Sequence, residues 1–502
     1  MKFPYSSWVL ASTPQGAEGP TGEELFPEAR LFDSLEYGMN RAKLAWYTID
    51  PLFLRNNSAT PGGITEAMQS NVYVREIDER DIFPQADQPS TINTRISTFD
   101  LAYYPGERGP YNFDEQGSDN SAGLDADGNL IQPETRWGGI MRSIESNDFE
   151  AANIEFIEFW VMDPFDNNAD NIQYQDDGYL YINLGNISED ILKDSRMFFE
   201  NGLPRDGTTE DLDSTDWARI PRVQPIVNAF DNDPDARDNQ DKGYGGVNDI
   251  EERHFFEPYR TNVQGVVNAA AFSEIDQDIA ADKYRYFRDD FYDDIGANIL
   301  ERYKAYNNPE GNSPVTGNSQ AFSSAATNIP ESEDLNRDYS LNESEAYFQY
   351  RIHMYPGMDD VNHPYITDVV TADMPLPTAP GEQVNWYQFK IPIEEYDHIQ
   401  GNIRDFKSIR FVRMFLNDFS QTDAPVVLRF ARLELVRNQW RRYQFSLLDP
   451  GEYIPNDVGN ETSFNVSSVS FEENSSRQPI PYVLPPGIER EEQLGGGAAT
   501  NT

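Results

Sequence analysis

One tract of this chain occurs twice, and the repetition limits the folds that the sequence can adopt. The first copy, residues 148–165, reads DFEAANIEFIEFWVMDPF, and the second, residues 405–419, reads DFKSIRFVRMFLNDF. In each copy an acidic and aromatic entry leads into a segment rich in β-branched and aromatic side chains, and an Asp-containing turn follows. A further strand-type segment comes after each copy, at 179–184 and at 426–435. The repeat therefore predicts two equivalent pairs of strands.

The repeat also predicts which side chains are buried. Each pair should lie in its own antiparallel sandwich, with four apolar residues buried: Ile154, Phe156, Ile409 and Phe411. Charged residues of opposite sign occupy matching positions, because Glu155 and Glu158 align with Arg410 and Arg413. These positions either dock against each other or face water, and charged strand residues usually face water.

Short strands separated by turn-rich loops favour antiparallel sandwiches over an α/β sheet. We therefore predict a mainly β fold with two repeated, jelly-roll-like antiparallel β-sandwich units and a helical and loop insert between them. The predicted segments are a strand-and-loop region at 1–135, the first sandwich unit at 136–225, an acidic loop and helical connector at 226–329, the second sandwich unit at 330–440, and a C-terminal strand and loop segment ending in a truncated linker at 441–502.

Two helical stretches are expected. Ser188 suits an N-cap and Asn201-Gly202 suits a helix stop, which predicts a helix between them. Apolar residues recur at helical spacing from Phe272 to Tyr303, the best helical pattern in the chain.

The chain is strongly acidic, which excludes some classes of partner. It has 39 Lys and Arg against 86 Asp and Glu, giving a net charge of −47. Nucleic acid and anionic membrane surfaces are therefore poor partners. The aromatic content of 13% argues against wholesale disorder. We also expect no transmembrane helix, because no stretch approaches the roughly 18 apolar residues that a span requires.

Catalytic signatures are mostly missing from the sequence. Cysteine is absent, and the four histidines form no H-E-x-x-H pattern. Neither a G-x-S-x-G elbow nor a Walker loop occurs. In a chain with so many carboxylates, an acid pair suited to glycoside hydrolysis would arise by chance. We predict that the chain is not an enzyme, and a cleft with suitably spaced carboxylates would be the mark of a glycoside hydrolase.

One acidic loop, residues 334–345, has the spacing of a calcium-binding loop. Oxygen-bearing side chains occupy loop positions 1, 3, 5, 7 and 9 and a glutamate occupies position 12, as in an EF-hand. The candidate ligands are Asp334, Asn336, Asp338, Ser340 and Glu345. Tyr339 stands where a glycine is expected, so the tight turn there needs an unusual backbone. A solvated acidic turn is the alternative, and possible Ca²⁺ is the only cofactor that we predict.

Several long strings in the chain resemble the SprA/Sov family. The strings are 40–53 (NRAKLAWYTIDPLF), 104–112 (YPGERGPYN), 137–142 (WGGIMR), the tract 149–165, 181–192 (YINLGNISEDIL), 299–304 (ILERYK), 405–411, 440–443 (WRRY) and 482–488 (YVLPPGI). That family comprises giant outer-membrane translocons of the type IX secretion system in Bacteroidota, which also serve gliding motility.

The resemblance implies that this chain is an interior fragment of such a translocon. It would be a non-enzymatic, extramembrane part that caps or lines the pore, located at the outer membrane or cell surface. The implied partners are secreted cargo proteins with C-terminal signals, an outer-membrane shuttle barrel and a periplasmic plug. A carbohydrate-binding jelly-roll module is the alternative, for which Trp137, Trp160 and Trp386 would have to be exposed on one sheet face.

Overall fold

The computed structural model describes residues 7–56, 58, 60–84, 94–165, 176–314, 329–375 and 380–437. The predicted C-terminal segment at 441–502 lies outside these residues. The chain divides into two compact units, Met1–Glu76 with Ser97–Arg437, and Ile77–Ile96 with Asn438–Thr502. No helix among the described residues is both long and apolar enough to cross a membrane.

Strands dominate the described chain. They are β1 (Val9–Leu10), β2 (Ala42–Tyr47), β3 (Ile77–Asp78), β4 (Arg95–Ile96), β5 (Phe99–Arg108), β6 (Trp137–Ser143), β7 (Ile154–Met162), β8 (Gly178–Asn186), β9 (Leu212–Ser214), β10 (Arg219–Pro221), β11 (Ala346–Met354), β12 (Ile366–Pro375), β13 (Pro380–Pro392), β14 (His398–Gln400), β15 (Phe411–Asn417) and β16 (Val426–Arg437).

The helices are short. They are α1 (Pro51–Leu54), α2 (Glu66–Gln69), α3 (Glu79–Ile82), α4 (Arg237–Gln240), α5 (Asp249–Phe255), α6 (Glu257–Gln264), α7 (Ala269–Ile275), α8 (Asp290–Asp294) and α9 (Ile299–Tyr303). In the smaller unit β3 pairs with β4, and Asp78 caps α3.

The larger unit contains two six-stranded sheets. Sheet 1 has the order β12-β13-β7-β16-β5-β2, and sheet 2 has the order β1-β6-β15-β8-β11-β14. Neighbouring strands in both sheets are antiparallel. The predicted mainly β, antiparallel sandwich fold is therefore confirmed.

The sheets enclose one core because alternate side chains of their central strands are apolar. Ile157, Phe159 and Val161 on β7 belong to the same buried cluster as Leu180 and Ile182 on β8. Burying each such side chain contributes about 1.5–3 kcal/mol.

A glycine on β6 packs directly against sheet 1. A Cβ atom on Gly138 of β6 would lie 2.9 Å from Tyr103 and 3.0 Å from Leu44, which belong to sheet 1. Only glycine fits this position without a shift of its neighbours.

The two copies of the repeat share a single sandwich instead of forming two. β7 of the first copy pairs with β16 of the second in sheet 1, and β8 pairs with β15 in sheet 2. Each copy thus supplies one strand to each sheet. The first copy contributes to sheet 1 and then to sheet 2, whereas the second contributes to sheet 2 and then to sheet 1. The physical reason is that a lone strand has open hydrogen-bonding edges, and the other copy satisfies them.

Three of the four apolar residues predicted to be buried are buried: Ile154, Ile409 and Phe411. Phe156 is only half-buried, with the Lys390 ammonium 4.4 Å from its ring centre. Glu158 and Arg413 are 5% and 0% exposed and lie in different sheets, so this aligned pair neither docks nor faces water. The other aligned pair is different, because Glu155 is only half-buried and Arg410 is exposed.

The two helix predictions had different outcomes. Residues 188–199 form a loop, with Lys193 and Ser195 in the left-handed region, so the first helix prediction is wrong. The second is confirmed only in part, because α7, α8 and α9 are separated by turns at 276–289 and 295–298. Gly296 has a φ of 67° and interrupts the helical path.

Candidate functional site

The predicted calcium loop is a compact acidic turn in the structure. Both carboxylate oxygens of Asp334 accept backbone N–H groups, from Asp338 at 2.9 Å and from Tyr339 at 3.0 Å. Asp338 Oδ1 accepts the N–H of Ser340 at 2.9 Å. Tyr339 adopts a φ of 63°, the conformation that the missing glycine would have supplied. The structure thus brings together Asp334, Asn336, Asp338 and Ser340.

Glu345 does not join this turn. Its two carboxylate oxygens pair with the two terminal nitrogens of Arg413, each at 2.9 Å. The N–H of Ser188 donates to the same carboxylate at 3.1 Å. Both side chains of the ion pair are at most 3% exposed. Calcium binding by the loop remains a prediction. In this arrangement the carboxylate of Glu345 is already paired with Arg413.

Three buried glutamates, which we call the bridging glutamates, connect distant loops. They are Glu189, Glu200 and Glu333. Each accepts three backbone N–H groups: Glu189 from Leu335, Asn336 and Asn342; Glu200 from Lys242, Gly243 and Glu331; and Glu333 from Ile191, Leu192 and Phe198. Glu333 takes N–H groups that the predicted helix after Ser188 would have used itself, so the segment remains a loop.

A second group of acids, which we call the carboxylate cluster, is held differently. It consists of Asp249, Glu252, Asp278, Asp282 and Glu310. The cluster contains two groups of three carboxylate oxygens, and within each group the oxygens lie within 4.8 Å of one another. One group has an oxygen each from Glu252, Asp282 and Glu310, and the other has an oxygen each from Asp249, Glu252 and Asp278. Glu252 belongs to both groups and connects them.

Three separate segments position the cluster. Asn248 caps α5 and places Asp249 and Glu252 on its first turn. Asp278 accepts the N–H of Asp282 at 3.0 Å and thereby closes the turn after α7. The N–H of Glu310 donates to the carbonyl of Asp282 at 3.0 Å, which brings the third segment alongside.

Burial and mutual repulsion change the acidity of these groups. Burial is the first cause, and the neighbouring Asp282 and Asp249 the next, that raise the pKa of Glu310 to about 10. The pKa values of Glu252 and Asp282 rise well above their usual range, also through burial first and then through neighbouring carboxylates. At neutral pH the cluster therefore favours either protons or a cation over free charge.

The sequence held a weak signal of this cluster. Asp249 and Glu252 are three residues apart and Asp278 and Asp282 four apart, with Ile279-Ala280-Ala281 between the latter pair. When acids flank a short apolar run, burial of the run also buries the acids. Among 86 acidic residues the pattern did not stand out, and Glu310 is brought near only by the fold.

The tryptophans required by the carbohydrate-binding alternative are buried. Trp137 and Trp386 are 0% exposed and Trp160 is 1% exposed. In this structure none of the three can contact a glycan, so no observation favours that alternative.

Comparison with known protein families finds a match to the second half of the chain. Residues 258–501 match the family model SprA_N, described as a motility related/secretion protein. The chain matches no curated protein. The matched range includes Asp278, Asp282 and Glu310 of the carboxylate cluster and strands β11 to β16. Residues 258–501 are thus similar to the SprA_N motility-related and secretion proteins, and this match supports the resemblance to the SprA/Sov family seen in the sequence.

Proposed function

We propose that this chain is a non-enzymatic, extramembrane portion of an outer-membrane secretion translocon that also serves gliding motility. In this role it caps or lines the passage taken by secreted proteins. Its partners are secreted cargo with C-terminal signals and the other subunits of the secretion machinery.

The sharing of strands between the two halves of the chain carries this proposal. Strands β11 to β16 lie within the matched range, and in each sheet they pair with strands that precede it, since β7 lies between β13 and β16 and β15 lies between β6 and β8. The family match of the second half therefore extends to one folded body that includes the first. A role in secretion belongs to the whole sandwich, because neither half completes a sheet alone.

The covered strands support placement outside the lipid. Every residue of β15 is buried, and β8 buries residues of both alternations. Strands covered by protein on both faces have no face left for a lipid contact. The chain's net charge of −47 is also unfavourable next to anionic lipid.

The experiment is an in-frame deletion of residues 1–437 from the longer protein in its native cells. The deletion has to remove the whole sandwich, because loss of 136–440 alone would leave β5 without β16 and β1 without β6. Cargo export, gliding and recovery of the protein in the outer-membrane fraction are measured together. We expect export and gliding to fail while membrane recovery is retained.

A pair of point variants provides a matched control. Arg413→Ala removes the buried partner of Glu345, at a cost of about 3–5 kcal/mol, whereas Arg410→Ala changes an exposed arginine at the start of the same strand. We expect only Arg413→Ala to reduce export. Normal export after the deletion, or loss of the protein from the outer membrane, would contradict the proposal.

A further inference from the structure

The carboxylate cluster contains buried oxygens that have no hydrogen-bond donor. Asp282 is 1% exposed, and neither of its carboxylate oxygens has a hydrogen-bond partner. The hydroxyl of Tyr111 and Asp282 Oδ2 both border Gly243, each 2.9 Å from the position that a Cβ atom would take there. Glu310 Oε2 and Asp249 Oδ1 are also without partners. Buried polar atoms are normally paired, so these four oxygens indicate a missing ligand.

Nearby positive side chains do not fill this role. Lys283 pairs with Asp249 and is half-exposed, on the solvent side of the cluster. The buried ammonium of Lys43 donates to the Asn308 side chain. Within the described part of the chain, no Lys or Arg nitrogen lies within 4.0 Å of the carboxylates of Glu252, Asp278, Asp282 or Glu310. The cluster therefore lacks a counter-charge in direct contact.

The donor atoms select the class of ion. All of them are carboxylate oxygens, which suit Ca²⁺ or Mg²⁺ better than zinc or copper. Ca²⁺ accepts six to eight oxygens at about 2.3–2.6 Å in flexible geometry, so opposite ligands lie about 4.8 Å apart. The oxygens of each group lie within 4.8 Å of one another, close enough for one such ion to contact all three. Mg²⁺ requires a smaller, near-octahedral shell and gives up its waters reluctantly.

We propose that the carboxylate cluster binds one Ca²⁺, with Glu252, Asp282 and Glu310 as direct ligands and Asp249 and Asp278 completing the negative shell. The ion joins α5, the turn after α7 and the segment at 308–310. It stabilises the helical insert by linking these three segments. The proposal does not depend on the secretion role.

The test uses the full chain at neutral pH and 150 mM NaCl, so that weak attraction of calcium to the acidic surface is screened. Thermal melting and calorimetric titration compare CaCl₂, MgCl₂ and a chelator. We expect one calcium per chain at this site, a higher melting temperature in calcium than in chelator, and a smaller effect of magnesium. Asp282→Asn and Glu310→Gln should each weaken calcium binding by at least tenfold.

Two matched controls separate this site from other acids. Asp334→Asn combined with Asp338→Asn disables the loop predicted from sequence, and Glu200→Gln changes a bridging glutamate; both should keep the response of the cluster. A calcium response that disappears only in the loop variant, or no response in the wild-type chain, would overturn the proposal.

If the variants fail to fold, the wild-type chain still decides the question. Hydrogen exchange with and without calcium should show protection at 249–252, 278–282 and 308–310. Protection confined to 334–345 would contradict the proposal.

Discussion

The bridging glutamates and the carboxylate cluster are both buried and acidic, but their oxygens are used in opposite ways. Glu189, Glu200 and Glu333 each accept three backbone N–H groups. In the cluster, Asp282 accepts none, and Glu310 accepts only the N–H of Asp249 at 3.1 Å.

This difference shows that burial of an acid does not by itself identify a site. Backbone N–H donors offset part of the cost of burying a carboxylate and let it hold loops together, although burial still raises the pKa of Glu189, Glu200 and Glu333. A carboxylate that faces other carboxylates needs a proton or a cation. Loss of a bridging glutamate should therefore destabilise the fold under all ionic conditions, whereas loss of a cluster acid should act through calcium.

The largest effect is expected for Glu333→Ala. Its removal leaves the buried N–H groups of Ile191, Leu192 and Phe198 without an acceptor, and each orphaned donor costs about 1–3 kcal/mol. We expect a loss of about 3–6 kcal/mol in denaturant unfolding, equal in calcium and in chelator. Glu333→Gln keeps one carbonyl oxygen and should lose less. A calcium-dependent loss in the alanine variant would break the distinction.

A pH effect of intermediate size is expected at Glu28. One oxygen of its carboxylate is hydrogen-bonded, as in the bridging glutamates, and the other is unpaired, as in the carboxylate cluster. Asn40 donates to its Oε1 at 2.7 Å, while its Oε2 has no partner. Burial raises the pKa of Glu28 from 4.5 to about 7. The folded state therefore binds more protons than the unfolded state between these values. The stability due to the neutral form is present below pH 4.5 and is lost as the pH rises through 7.

Glu28→Gln should remove this loss. The difference in unfolding free energy between variant and wild type should change by about 1–3 kcal/mol between pH 5 and pH 8, in favour of the variant. Denaturant unfolding at both pH values, with and without calcium, measures it. An equal difference in unfolding free energy between variant and wild type at both pH values would show that Glu28 remains charged when buried.

The smallest effect is expected for the loop variant that combines Asp334→Asn with Asp338→Asn. Asp338 is exposed and its hydrogen bonds are local. We expect a loss of about 1 kcal/mol in chelator. The increase in melting temperature with calcium should remain, because it arises at the cluster. If the increase disappears, the loop is the calcium site, as its spacing predicted.

Local pattern predicted the strands but not their partners. Alternation and β-branched residues marked β7, β8, β15 and β16 correctly. Their distribution over two shared sheets depends on pairing between residues far apart in sequence, which no local pattern contains. The same limit explains the missed loop after Ser188, because its N–H groups bond to Glu333.

The candidate sites show the same limit. The 334–345 loop is continuous in sequence, and four of its five predicted ligands do come together. Glu345 could not be placed correctly, because its partner Arg413 is brought near only by sheet 2. The carboxylate cluster combines three segments between 249 and 310, so its members become neighbours only after folding.

The most direct test of calcium binding at the cluster is the stability of Asp282→Asn relative to wild type, measured by denaturant unfolding in chelator and in excess calcium. In chelator the variant should be more stable, by about 1–3 kcal/mol, because the buried Asp282 of wild type has to take up a proton or stay charged beside other carboxylates. In calcium at a hundredfold excess over the wild-type Kd, wild type gains about 2.7 kcal/mol, whereas a variant that binds tenfold or more weakly gains at most about 1.4 kcal/mol. The advantage of the variant should therefore shrink by about 1.3 kcal/mol or more between chelator and calcium, and an advantage of the same size in both conditions would contradict calcium binding at the cluster.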